Sequence, residues 1–549
     1  MNNRTTFLAL SAIVTAFTVS AAAATRHTST TFDEILLPSA GARGYVTGEF
    51  DMVIDHPPLL QYVYGLPVFL SRPSYPAESL ADWNHDLRYG YARAFFWQVG
   101  NDPERIAFIA RFMGVLMGAA LIVVTFLLTR SAAGPAAGLI AALLVASLPD
   151  VLAHSGISYN DVPLALVLLV TAWAIDRTVR RPTIARAAVA GLATGIAFGV
   201  KFSAIVLGPM TLLLLLCEAV TRWPDRGWLR RTLLLIPVFT VAAYLALVAV
   251  YLGDFTLREF WVGLDINIRH ANTGHGAPAV LLGRYSLEGW WYFFPVAFFL
   301  KTSVALHALL LVALAGALAA VRHGRQSAPH AAAAPSTRAL LERALASPLR
   351  VPAVGGAVFL AFVIAADLNI GFRHALPILP FACILIAAGV RRAWSLRLPL
   401  LRAVVVAALA WHVIAPLRFY PFYISFLSEY TGPVEYSYET LVDSSLDWGQ
   451  GLLELRNFMR QENVPRIMLS YFGSALPEGY GIDYVAMPSF FPLPAYGVAE
   501  GDTLPRWVAI SATNLAGNYL RGDPFARFRD IRPTAVVGRS IFLFHLEGD

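Results

Sequence analysis

The chain has 549 residues, of which 57% are hydrophobic and only 14% charged. Its mean hydropathy is +0.58. Ordinary soluble domains carry roughly 25% charged residues, so this composition excludes a soluble globular protein. The net charge of +6 comes from arginines on short loops, which marks membrane topology and not nucleic-acid binding.

Arg4 precedes an apolar run over residues 7–24. The small residues Ala22, Ala23 and Ala24 would suit a cleaved signal peptide. The run is long for that, and a retained first span is the better reading. Residues 25–105 then form an external loop, in which the stretch 59–70 is too short to cross a bilayer and reads as an interfacial helix. Residues 89–97 suggest a second one.

Further spans are expected at 106–129, 135–152, 162–176, 184–199, 203–220, 233–252, 294–320, 351–367, 374–390 and 399–416. With the first, that makes about eleven. Arginines gather on alternate loops, at 177–186, 222–231, 322–350 and 391–397. The bias places the N-terminus in the cytoplasm and the C-terminus outside. Residues 327–336 read as a linker. From residue 417 the character changes. An amphipathic helix over 447–461 and strands near 467–472, 507–510 and 540–546 suggest a small exported α/β domain. The expected fold is therefore an all-α polytopic membrane domain, 1–416, followed by an α/β domain, 417–549.

Several clusters could carry chemistry. Asp33 and Glu34 are adjacent carboxylates just outside the first span. Successive residues on a helix face about 100° apart, so one of the two would point into a given site. A carboxylate within reach of an acceptor hydroxyl could act as a base. A solvated pair on a loop is the plain alternative. Asp55-His56 precedes two prolines and could equally cap the next helix. Asn160-Asp161 opens a span at the same depth as Asp33, and it too has the form of a helix cap.

Arg111, Lys201 and Lys301 lie in or beside apolar runs, and these are the only two lysines of the chain. A cation inside a membrane costs on the order of 2.5–3.5 kcal/mol on insertion scales, and such charge is usually functional. Arg373 breaks the charge rule on a short external loop, which a phosphate partner would explain. The loop over 269–301 holds His270, His275 and an aromatic run that includes Trp290. Two histidines with no carboxylate at fixed spacing do not make a metal set, and the aromatics suit an interfacial belt. In the tail, Ser445 or Asp447 could cap the helix that follows. The two cysteines, Cys217 and Cys383, lie in apolar runs and form no disulfide or metal pattern.

Taken together, these residues resemble bacterial lipid-carrier-dependent glycosyltransferases of the GT-C fold. That superfamily includes protein O-mannosyltransferases and the enzyme that adds aminoarabinose to lipid A. The resemblance rests on Asp33-Glu34, the 55–59 segment, Asn160-Asp161, residues 195–201 and residues 289–301. Residues 441–450 look like a motif of one bacterial branch, in which Asn commonly stands where this chain has Ser445. The resemblance implies Asp33 as base, with Glu34 supporting it or exchanging roles. It implies that Asp161 shapes the site, and that Arg111, Lys201, Lys301 and Arg373 hold a carrier phosphate. Asp55, His56, His270, His275 and Trp290 would be substrate or structural residues. The expected partners are a polyprenyl-phosphate sugar and a hydroxyl acceptor on a protein, lipid or glycan, at the plasma membrane. No cofactor is expected and no metal is indicated. The alternative is a transporter or flippase, which would show paired halves with interrupted spans; the sequence has no such repeat.

Overall fold

The computed structural model describes residues 2–76, 87–274, 276–326, 337–494 and 504–546. Local chemistry sets the helix ends. The Asn2 side chain accepts from the Thr5 amide at 2.8 Å and starts the helix Asn3–Ala24. Asp102 accepts from the Arg105 amide at 3.0 Å, ahead of Pro103 in the first turn. These are the usual remedies for unpaired amides at a helix start.

The protein is a multi-pass membrane protein. Among the described residues, six helices are long and apolar enough to cross a membrane, or up to eight if each bent pair is one span. The expected segments fall on helices, but the expected count of about eleven spans is not reached among the described residues: those at 184–199, 351–367 and 374–390 lie on helices of 16 or 17 residues, and two others are not straight. The segment read as 135–152 is two helices, Pro135–Ala146 and Pro149–Ser155, bent by 65°. Pro149 cannot continue the upstream hydrogen-bond ladder. The segment read as 294–320 bends by 111° between Phe293–Lys301 and a helix starting at Val304. Lys301 therefore ends a short helix at a sharp corner and does not lie partway along a straight span.

The first external loop folds onto the bundle. Its helix Leu36–Thr47 packs on Leu59–Leu70, the expected interfacial helix. The two backbones meet at Gly41 and Gly65, where a Cβ on either glycine would strike the other helix. Residues 89–97 are indeed helical, as an α-turn Arg88–Arg93 followed by a π-turn Ala94–Gln98. In the tail, a five-stranded sheet has the order Tyr484–Ala486, Ile467–Ser470, Trp507–Ser511, Ile541–His545, Ala535–Val537. Ile467–Ser470 is parallel to both of its neighbours, and the remaining pairings are antiparallel. The helix Leu452–Gln461 buries Leu452, Leu455 and Met459 beneath the sheet residues Ile467 and Leu543.

The tail does not stand apart from the bundle. The Phe32 amide donates to Trp448 O at 2.8 Å, and the Ser29 amide to Gln450 O at 3.1 Å. One apolar core runs from Phe17 and Phe126 through Phe32 to Phe472 and Phe542.

The first loop has its own anchor. Arg111 Nε and Nη2 reach Glu34 at 2.7 and 2.8 Å. Nη1 and Nη2 also donate to the carbonyls of Thr25, Thr28 and Ser29 at 2.7–2.9 Å. Removing one partner of a buried ion pair strands the other and costs about 3–5 kcal/mol. Arg111→Met should therefore lower the detergent melting temperature sharply, and Glu34→Gln/Arg111→Met should recover much of the loss. A single variant that melts with the wild type would contradict this anchoring role.

Candidate functional site

Asp33 and Glu34 part ways in the fold. The Glu34 side chain is 1% exposed and Asp33 is 17% exposed. Glu34 is fully engaged: besides Arg111, it accepts from the amides of Thr31 at 2.9 Å and Ser158 at 3.2 Å. The supporting or exchanged catalytic role expected of Glu34 therefore gives way to a structural one. Arg111, held by the same pair and three carbonyls, is not placed to grip a phosphate.

Asp33 faces a cleft. Its Oδ1 accepts from the Tyr89 hydroxyl at 2.7 Å, and its Oδ2 lies 3.4 Å from Arg373 Nη2. Burial and the Asp33 charge hold the Tyr89 phenol well above its usual range, so it stays a donor. Arg373 Nη1 lies 3.5 Å from Asp161 Oδ2, and Asp161 Oδ1 accepts from Lys201 Nζ at 2.7 Å. Acids and cations thus alternate in one chain: Asp33, Arg373, Asp161, Lys201.

Arg373 is fixed on all sides. Its Nε donates to Ser444 Oγ at 3.1 Å, and its guanidinium lies 4.2 Å from the Trp448 ring centre and 5.1 Å from that of Tyr159. Burial disfavours its charge, but Asp161, Tyr159 and Asp33 outweigh this and hold it above its ordinary value. Gly371 makes the approach possible, since a Cβ there would overlap Ser444 Oγ. The Phe372 amide then donates to Ser445 Oγ at 2.9 Å.

Two cavities flank this charged chain. On one side is a cleft of about 280 Å³ lined by Asp33, Tyr89, Arg373, Asp443 and Trp448 together with phenylalanines. On the other is a mostly apolar groove of about 270 Å³ that includes Leu164, Ile205, Phe362, Lys201 and His374. A polar head between Arg373 and Lys201 could leave its hydrocarbon in the groove and present its other end to the cleft.

The remaining expected residues are placed as follows. His56 Nε2 lies 2.6 Å from the Tyr159 hydroxyl, and Asp55 lies 3.7 Å from Arg88. Burial holds the His56 imidazole below its ordinary value. Pro58, with no side-chain cap, precedes the helix, so neither Asp55 nor His56 caps it. Asn160 likewise makes no side-chain cap bond. Lys301 is fully buried and donates to the carbonyls of Ile424, Phe426 and Ser445 at 2.6, 2.9 and 2.8 Å, with Asp150 at 3.7 Å. It staples the tail to the bent helix, which corrects its expected role as a phosphate ligand. Trp290 is part-buried, its amide donates to Asn369 Oδ1 at 2.8 Å, and it lines neither cavity. His270 is exposed on the helix Arg258–Thr273 and lines neither cavity, and His275 lies outside the described residues. Among the described residues, no three His, Cys, Asp or Glu side chains gather as a metal set.

Sequence reasoning missed Tyr89, Tyr159, Asp443, Ser444 and Trp448. Asp443 has φ +54°, which a non-glycine residue rarely adopts. Its carboxylate accepts from the Tyr519 hydroxyl at 2.6 Å. The stretch 441–450, read as a helix lead-in and as a branch motif with no site role assigned, is part of the site. Ser445 and Asp447 do not cap the next helix, whose cap is Gly451.

Residues 87–252 match the family model described as dolichyl-phosphate-mannose-protein mannosyltransferase. No curated protein sequence matches the chain. Two structures of ArnT from Cupriavidus metallidurans are similar. The one bound to undecaprenyl phosphate is 12% identical, with 97% of each chain covered and a TM-score of 0.46. The apo state is 13% identical, with 99% of this chain and 98% of that chain covered and a TM-score of 0.48. The oligosaccharyltransferase AglB from Archaeoglobus fulgidus, in complex with an inhibitory peptide and a dolichol-phosphate, is 14% identical. It matches over 78% of this chain and 58% of its own, with a TM-score of 0.42. Superpositions this loose do not carry residue roles from those proteins to this one.

Asp447 supplies a pH test of how the tail is joined to the site. It is fully buried, and burial pushes its carboxyl up to about 7 despite amide donors from Thr513 and Gly449. The unfolded chain would release that proton near pH 4. The folded state thus holds an extra proton between about pH 4 and 7, so stability falls as pH rises through that window. A shift of this size corresponds to about 4 kcal/mol. Asp447→Asn should flatten the pH dependence of melting between pH 4.5 and 7.5; an unaltered slope would contradict the buried acid as its source.

Proposed function

We propose that this protein is an inverting membrane glycosyltransferase that moves a sugar from a polyprenyl-phosphate carrier to a hydroxyl acceptor. The observation that carries the reading is the Asp33–Arg373–Asp161–Lys201 chain, set between an open cleft and an apolar groove. The family match over residues 87–252 supports the same chemistry. The arginine pattern supports a plasma-membrane protein with the cytoplasm at its N-terminus and the site and tail on the outer face.

In this reading the carrier's hydrocarbon lies in the groove beside Lys201. The phosphate sits between Lys201 and Arg373, and the sugar projects into the cleft. Asp161 keeps both cations in place before the donor arrives. The acceptor hydroxyl enters beside Asp33, which takes its proton as the oxygen attacks the anomeric carbon. The bond from that carbon to the phosphate oxygen breaks in the same displacement, and the configuration inverts. Negative charge grows on the departing phosphate. Cations already fixed at a water-poor site stabilise it without reorganising. Tyr89 orients the Asp33 carboxylate and leaves its Oδ2 edge to the cleft. The reaction as written calls on no nucleotide and no cofactor.

The test is sugar transfer by the purified protein from a panel of radiolabelled polyprenyl-phosphate sugars. Removal of a general base typically costs 10²–10⁴-fold, so Asp33→Asn should lose at least about 100-fold while its melting temperature stays near wild type. Full turnover in that variant would remove Asp33 as the base. Lys201→Met should raise the donor KM by about tenfold or more and leave the acceptor KM nearly unchanged; equal effects on both would place the phosphate elsewhere.

A further inference from the structure

The far end of the helix Asp161–Arg180 carries a second built feature. This helix has 20 residues and so spans about 30 Å, roughly the thickness of a bilayer core. Asp161 stands at its site end. At the other end, Trp228 Nε1 donates to Val179 O at 2.8 Å, and Arg222 Nη2 donates to Arg180 O at 2.8 Å. These bonds hold the short helix Arg226–Leu234 at the membrane surface opposite the candidate site.

Between residues 219 and 234 lies a cavity of about 580 Å³. It is larger than either cavity at the candidate site. Arg226 and Arg230 line it from one face of the helix, four residues apart, and Trp223, Leu229 and Leu233 supply apolar wall. Arg222 is already engaged with Glu218 at 2.5 Å. Among the described residues, neither Arg226 nor Arg230 has an acid within ion-pair distance. The Asp225 carboxylate also lines the cavity, where its Oδ1 accepts from the Trp228 amide at 3.0 Å.

We infer that this cavity binds an anionic phospholipid of the leaflet opposite the candidate site. Two unpaired guanidiniums on one face suit a phosphodiester, since planar donor forks match phosphate oxygens. The apolar wall of Trp223, Leu229 and Leu233 suits the first carbons of the acyl chains. A zwitterionic headgroup offers the same phosphate but also sets an ammonium beside the arginines. The cavity should therefore prefer lipids with net negative charge. The inference does not depend on the transfer reaction.

The experiment uses the full-length protein in a neutral detergent, incubated with equimolar phosphatidylglycerol and phosphatidylcholine and read by native mass spectrometry. The wild type should retain phosphatidylglycerol at least fivefold over phosphatidylcholine. Arg226→Gln/Arg230→Gln should bring the ratio to within twofold of unity, whereas Arg391→Gln/Arg392→Gln should leave it unchanged. Phosphatidylglycerol should also raise the wild-type melting temperature when inorganic phosphate at the same concentration does not. Equal retention of the two lipids by the wild type would overturn the inference, as would an undiminished preference in the first double variant. Equal protection by inorganic phosphate would overturn it in favour of a simple anion site.

Discussion

The site depends on the buried pair of Glu34 and Arg111. Arg111 projects from a long span and gathers Glu34 and three carbonyls of the loop that follows the first helix. That loop would otherwise be an exposed linker with many conformations. Pinned in this way, it presents the neighbouring Asp33 to the cleft at a fixed height. Two adjacent carboxylates thus divide the work by depth: the inner one holds the backbone, and the outer one faces the cleft. A buried pair of this kind contributes more through geometry than through net stability.

The second constraint is balance of charge. Two cations in a largely buried setting would repel each other without Asp161 between them. Arg373 also meets Asp33, Trp448 and Tyr159, so its charge is shared among acids and ring faces. Both cations are largely buried, and such contacts weigh more than they would at a surface. An arriving phosphate would exchange one anionic partner for another and need not create a charged pocket from nothing.

Much of this was legible in the sequence. The apolar runs gave the helical segments, and Asp33, Asp161, Lys201 and Arg373 stood out as charge where charge is costly. The structure brings those four together. Lys301 and Arg111 stood out for the same reason, yet both serve to fasten backbone. Sequence reports that a buried cation needs partners, but it cannot say whether they are carbonyls of the same chain or a visiting anion. The bends at Pro149 and Lys301 escaped notice because hydropathy windows average across a corner. Ser444 was hidden because it lies 71 residues from Arg373, and Trp448 because it lies more than 400 residues from Phe32.

The backbone bonds from Ser29 and Phe32 to Gln450 and Trp448 have a consequence for biogenesis. Residues 29 and 32 complete their backbone pairing only once residues 448–450, more than 400 positions later, have been made. Until then their loop is held to the early spans by Arg111 and not yet by the tail. The cleft beside Asp33, lined in part by Asp443 and Trp448, is therefore incomplete in any nascent fragment that lacks those residues.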